Sequence, residues 1–161
     1  MIGKVRAING ALALALLVFF LGHAASGTFD GDGVPDFAMV ALWTAVVVAA
    51  CHVVLSIVTS RNMLTDDERP PSSKKKAHLV LKWASGIVLL LVAAIHCQLF
   101  NGENILCAAL LLVALAWHGW VGIKSLVRDI FIPKTMVFPL RCGLCAIVAI
   151  EIFSMWIIRC F

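Results

Sequence analysis

The sequence predicts an all-α integral membrane bundle of five spanning helices. Three observations carry that expectation. Hydrophobic residues make up 62% of the 161-residue chain and the mean hydropathy is +1.02, more apolar than a water-soluble domain of this size. Five apolar runs, at about 7–26, 37–59, 79–99, 105–123 and 137–158, each have about the 20 residues that a bilayer core requires at a rise of about 1.5 Å per residue. The basic residues, finally, collect in alternate connections.

Span 1 follows Lys4 and Arg6 and ends on "GHAASG". It is too polar at that end, and too closely followed by further spans, to be only a cleaved leader. The acidic stretch "TFDGDGVPDF" leads into span 2. The linker 61–77, "RNMLTDDERPPSSKKKA", is charged and bears Pro and Ser; it carries Arg61, Arg69, Lys74, Lys75 and Lys76, with Lys82 just inside span 3. "FNGEN" joins spans 3 and 4. Lys124, Arg128, Lys134 and Arg141 flank the connection to span 5, and only Arg159 falls on the opposite side. Basic loops stay in the cytoplasm, so the N-terminus is expected inside and the C-terminus outside, in the inner (plasma) membrane. The net charge of +4 belongs to these loops and requires no nucleic-acid partner. Residues 1–161 are read as one membrane domain.

The linker separates a first hairpin (spans 1 and 2) from spans 3 to 5, and the two parts echo each other. Each opens on a basic residue and a glycine, "VRAING" and "LKWASG". Each has a histidine late in its first helix, His23 and His96, and another about two thirds along its second, His52 and His118. Of the six cysteines, most lie in apolar spans, where a reduced Cys is a small hydrophobe. The "CGLC" at 142–145 has redox-motif spacing, but it falls at the cytoplasmic end of span 5, where packing is the expected role. No C-x-x-C-H haem-attachment motif is present.

Ionisable residues inside a span are costly and usually functional, and here their depth is informative. Spans 1 and 3 run outward, which sets His23 roughly 22 Å and His96 roughly 25 Å from the inner edge. Spans 2 and 4 run inward and leave His52 and His118 only about 10 Å from it. In an up-down four-helix bundle helix 1 lies diagonal to helix 3, and helix 2 to helix 4. Each equal-depth pair thus faces across the bundle centre, as two axial imidazoles face across a flat macrocycle. Two b-type haems between the first four helices are expected, ligated by His23/His96 and by His52/His118. A macrocycle lies close only to a helix that sends no side chain at it. Gly119 and Gly122 flank the inner pair, and Gly86 falls at about the same depth on span 3. A single membrane histidine is often a hydrogen-bonded packing residue; four, one per helix and matched in depth, are expected to be ligands. His78, beside the Lys run, reads as interfacial, and so do the tryptophans near span ends.

The stretch "HGWVGIKSLVRDIFIP" resembles the histidine helix of the succinate dehydrogenase and fumarate reductase membrane anchors. That family's pattern is a haem-ligand His, Gly four residues on, Asp eleven on and often Pro fifteen on, positions held here by His118, Gly122, Asp129 and Pro133. Its two-haem members have five spans with a ligand histidine on each of the first four, paired first with third and second with fourth, so the resemblance covers nearly the whole chain. Two positions depart from it. Ile130 stands where single-haem anchors usually carry a quinone-site Tyr, and Ala116 where some two-haem members carry a membrane Glu.

The resemblance implies electron exchange between a membrane quinone, most often menaquinone, and a cytoplasmic reductase or dehydrogenase whose partner subunits hold FAD and iron–sulfur clusters. No nucleotide-binding or hydrolytic motif appears in this chain, so it is expected to transfer electrons without a substrate-converting site beyond the quinone. Glu151, about 20 Å from the inner edge, is either a proton site for quinol or a neutral group bonded between helices. Lys82 either pairs with an inner-haem propionate or snorkels to the interface. Three alternatives compete: the same anchor serving a different flavin or molybdenum reductase, a haem-free anchor or assembly protein, and a cysteine-based thiol oxidoreductase.

Overall fold

Each apolar run folds as one helix, because in lipid every backbone N–H and C=O must find its partner within the segment. The computed structural model describes residues 2–27, 36–64, 72–99 and 104–160, without the side chains of 2, 25–27, 36–39, 41–42, 63–64, 97–99 and 158–160. The helices are α1 (Ile2–Gly27), α2 (Asp36–Leu64), α3 (Ser73–Leu99), α4 (Ile105–Asp129) and α5 (Val137–Cys160), and no strand occurs among the described residues. All five are long and apolar enough to cross a membrane, over stretches of 20 to 25 residues. The chain is therefore an all-α, multi-pass membrane protein. Most of the α1–α2 and α3–α4 connections (28–35 and 100–103), and 65–71 of the linker, lie outside the described residues.

The helices outrun the expected spans at their basic ends. α2 continues to Leu64, α3 begins at Ser73 rather than near 79, and α4 continues to Asp129. The expected linker 61–77 is thus helical at both of its ends. Hydropathy marks where lipid stops, whereas Lys, Arg and Ala hold a helix well beyond it. Lys74, Lys75 and Lys76 are all exposed in the first turn of α3.

The chain divides into two compact units. The first holds α1, α2 and the segment Ser125–Ile132 that ends α4. Leu16, Ala45 and Val127 are its buried apolar residues, and Asn9, Ser56, Thr59 and Ser60 are buried polar ones. Asn9 Nδ2 donates to Ser56 Oγ at 3.1 Å, tying α1 to α2, and the Thr59 hydroxyl donates to the Ser56 carbonyl at 3.2 Å. Asn9 Oδ1 and Arg6 Nε are buried with no hydrogen-bond partner among the described residues. A Cβ at Gly10 would stand 2.9 Å from Ile130 Cγ2 and 3.5 Å from Asp129 Cβ; the bare Cα lets the end of α4 approach α1. That end closes with Ile132 N donating to the Val127 carbonyl at 2.9 Å. The bond spans the left-handed Phe131, whose φ is 61°, at the helix-terminating position that usually takes glycine.

The second unit holds α3, most of α4 and α5. Asn104 caps α4: its Oδ1 accepts from the backbone N–H groups of Leu106 at 3.0 Å and Cys107 at 3.1 Å, partners those first donors otherwise lack. A 3-10 turn, Lys134–Met136, leads straight into α5. Pro139 costs α5 little, since the first-turn donors have no helical acceptor in any case. Leu112, Leu115, Val121, Leu144 and Val148 are buried. In both units large apolar side chains point outward: Val18, Trp43, Leu91, Leu106, Ile150 and Phe153 are 59–66% exposed. Water would not tolerate so much apolar surface, but a lipid solvent covers it.

Candidate functional site

Three residues of α3 at one-turn spacing, Lys82, Ser85 and Gly86, share a face, and the imidazole of His118 on α4 meets that face. His118 Nδ1 lies 3.0 Å from Ser85 Oγ. The same Oγ lies 3.0 Å from the Lys82 carbonyl, to which it donates. Ser85 is completely buried, at 0% exposure. A Cβ at Gly86 would stand 3.3 Å from His118 Cε1 and 3.6 Å from Nδ1. The first of these is tighter than carbon atoms prefer and the second is ordinary contact, so the bare Cα lets the ring lie against α3 without a shift of a few tenths of an ångström. Of the residues singled out from sequence, the second unit thus brings together His118, Gly86 and the backbone of Lys82.

The other two glycines differ. Among the described residues nothing lies within 4 Å of a Cβ placed at Gly122, one turn after His118 on α4. At Gly119 a Cβ would fall 2.5 Å from Leu144 Cδ2, which makes α5 the neighbour that its bare Cα accommodates. One turn of α5 earlier, Arg141 Nε donates to the Trp120 carbonyl at 2.8 Å, and its guanidinium lies 4.9 Å from the Trp120 ring centroid. Trp120 therefore has a cation–π partner within the protein, beyond the interfacial role expected of it.

His96 is half-buried near the end of α3 with Nδ1 shielded, and Glu151 is half-buried on α5. In the first unit His52 is half-buried on α2, again with Nδ1 shielded. His23 is exposed on α1, its ring parallel to that of Phe19 with centroids 6.1 Å apart. Arg128 Nε donates to Asp129 Oδ1 at 2.9 Å, and the Asp129 side chain is only 11% exposed. Among the described residues no three metal-ligating side chains cluster; axial ligation of a macrocycle needs only two.

Two features were not expected. Ser85 was not singled out; its one outward sign is its place in "KWASG", three residues after a lysine and next to a glycine. Cys142 and Cys145, expected to pack, are free thiols exposed on α5. Spaced i, i+3 they share a face, and it is the buried Leu144 and Val148 that occupy the inner one.

No protein-family model matches the chain, and no curated protein or solved structure does either.

Proposed function

We propose that the chain is a dihaem cytochrome b subunit that passes electrons between a membrane quinone and a cytoplasmic flavoprotein and iron–sulfur reductase of the fumarate reductase or succinate dehydrogenase type. One observation carries this reading: a histidine lies inside each of four membrane-crossing helices, His23 on α1, His52 on α2, His96 on α3 and His118 on α4. Placing one ionisable ring in each of four helices is expensive unless all four are used. The ligand pairs, His23/His96 and His52/His118, follow from the position of each histidine along its own helix. The quinone is menaquinone by the same resemblance, and FAD and iron–sulfur clusters belong to the partner subunits.

The surroundings of His118 fit an axial ligand. A metal-ligating imidazole almost always has its second nitrogen held by a hydrogen bond, and Ser85 Oγ holds His118 Nδ1. Gly86 gives the ring room against α3, and among the described residues nothing lies within 4 Å of a Cβ placed at Gly122, one turn beyond. A haem bound there supplies one-electron chemistry, its iron cycling between ferric and ferrous. The chain's own residues hold and orient the ligand ring and keep water from the hydrogen bond behind it, since Ser85 is fully enclosed. Lys82 is assigned to a haem propionate and Glu151 to proton exchange with quinol. The basic ends of the helices face the cytoplasm and the soluble partner, with the His52/His118 pair nearer to it.

The test is a reduced-minus-oxidised spectrum and haem count on the purified full chain. Two b-type haems per chain are expected, and absence of a b-type α-band overturns the reading in favour of a haem-free anchor. His52→Ala and His118→Ala are expected to remove the same single haem; loss of different haems overturns the pairing. Ile130 and Ala116 depart from the family pattern at its quinone and proton positions, and a second reading keeps the haem-bearing anchor but gives it another flavin or a molybdenum reductase. Co-purification of the native complex, with its flavin and molybdenum content measured, separates the two.

A further inference from the structure

We infer that Ser85 fixes His118 in the tautomer protonated at Nδ1, which places on Nε2 the lone pair that a metal would take. The metal-binding part of this inference rests on the cytochrome reading; the tautomer part does not. A serine hydroxyl has one proton and two lone pairs. Among the described residues two groups are hydrogen-bonded to Ser85 Oγ, the Lys82 carbonyl and His118 Nδ1, each at 3.0 Å. The carbonyl can only accept. With the hydroxyl proton on the carbonyl, Oγ offers a lone pair to an Nδ1–H, and both contacts are hydrogen bonds. With the proton turned toward an unprotonated Nδ1 instead, Oγ and the carbonyl oxygen face each other at 3.0 Å as two acceptors with nothing between them. At 0% exposure of Ser85 no bulk water relieves that repulsion. Only the first arrangement makes both short contacts favourable. It puts the imidazole proton on Nδ1, and a neutral imidazole then carries its other lone pair on Nε2.

Gly86 favours the arrangement, because a Cβ there would stand 3.3 Å from Cε1, between the two ring nitrogens, and push the ring by a few tenths of an ångström. Ser85 is thus a positioning residue: it acts on the metal through the ring it holds. A hydrogen bond accepted from Nδ1–H makes the imidazole a stronger donor, and a stronger donor favours ferric over ferrous iron. Its loss is expected to raise the potential of one haem and leave the other unchanged. A tenfold change in relative ferric and ferrous affinity, the lower end of the range for such outer-shell partners, corresponds to about 59 mV for one electron.

The experiment has two arms, both on the full chain in detergent. In the first, histidine ¹⁵N shifts are recorded before haem is added, with His118→Gln identifying the signal. His118 is expected as the Nδ1–H tautomer, and Ser85→Ala is expected to shift it toward the commoner Nε2–H form. In the second, haem potentials are titrated for wild type, Ser85→Ala and Ser85→Thr. A rise of one potential in Ser85→Ala, with Ser85→Thr near wild type, supports the assignment. An Nε2–H signal for His118 in the wild-type chain overturns it, even in a protein that binds two haems. A chain that binds no haem, yet keeps the Nδ1–H signal and loses it in Ser85→Ala, overturns the cytochrome reading and supports the role of Ser85 on the ring.

Discussion

Removing the serine from the α1–α2 hydrogen bond is expected to cost more than removing the larger asparagine. Asn9 Nδ2 donates to Ser56 Oγ at 3.1 Å, and both residues are buried. Interhelical bonds of this kind average about 0.6 kcal/mol in lipid. Ser56→Ala loses that bond and also strands the Asn9 amide, whose Oδ1 already has no hydrogen-bond partner among the described residues. A buried donor left unsatisfied costs about 1–3 kcal/mol. Asn9→Leu loses the same bond but removes both ends of the amide, and Leu has the same branching of heavy atoms as Asn, though its methyls are bulkier. The Ser56 hydroxyl then turns to a carbonyl one turn back on its own helix. Asn9→Leu should therefore fall within about 1 kcal/mol of wild type, and Ser56→Ala should be worse by about 1–2 kcal/mol. The assay is reversible unfolding of the full chain in mixed micelles by SDS titration, followed by far-UV circular dichroism, with the double mutant closing the cycle. If Asn9→Leu proves the more damaging of the two, the assignment of Oδ1 as an unmet acceptor is refuted.

Two further outcomes use the same titration. Gly119→Ala places a carbon 2.5 Å from Leu144 Cδ2 and should lose about 1–3 kcal/mol to overpacking, less about 1 kcal/mol regained in helix propensity; in the double mutant with Leu144→Ala a favourable coupling of about 1 kcal/mol is expected, and strict additivity counts against the contact. Phe131→Gly removes a left-handed aromatic residue that is 86% exposed and should stabilise the chain by up to about 1 kcal/mol, so a destabilised variant shows that the ring is held by something other than its own backbone turn.

The five helices were legible because a bilayer demands uninterrupted apolar length, a property of sequence that needs no knowledge of neighbours. Their ends were less so: hydropathy falls at Arg61, yet α2 runs on to Leu64. The histidines were legible for a similar reason, as ionisable residues stand out in a hydrophobic run. Their hydrogen-bond partners were not, because Ser85 meets His118 across thirty-three residues of sequence, and a serine in an apolar helix has many innocent uses. The echo between the two halves held more than it first gave. Arg6, Asn9 and Gly10 on α1 have the same spacing as Lys82, Ser85 and Gly86 on α3. In each, the middle residue reaches across to the following helix, Asn9 to Ser56 and Ser85 to His118. Gly119 could not have been assigned from sequence, since what faces it is set by the packing of α5.

The three lysines at the start of α3 also have a mechanical consequence. Because the helix already begins at Ser73, Lys74, Lys75 and Lys76 ride on a stiff rod that stands about 9 Å proud of its first long apolar stretch. Successive residues point about 100° apart, so the three ammonium groups form a collar more than halfway round the helix. An ammonium drawn to the bilayer centre costs about 2.5–3.5 kcal/mol. Sinking α3 drags three of them toward lipid, and raising it exposes the apolar residues that follow. The collar acts as a plimsoll line: it opposes sinking of α3, as the apolar residues oppose its rise, and so bears on the depth of Ser85 and of the imidazole bonded to it.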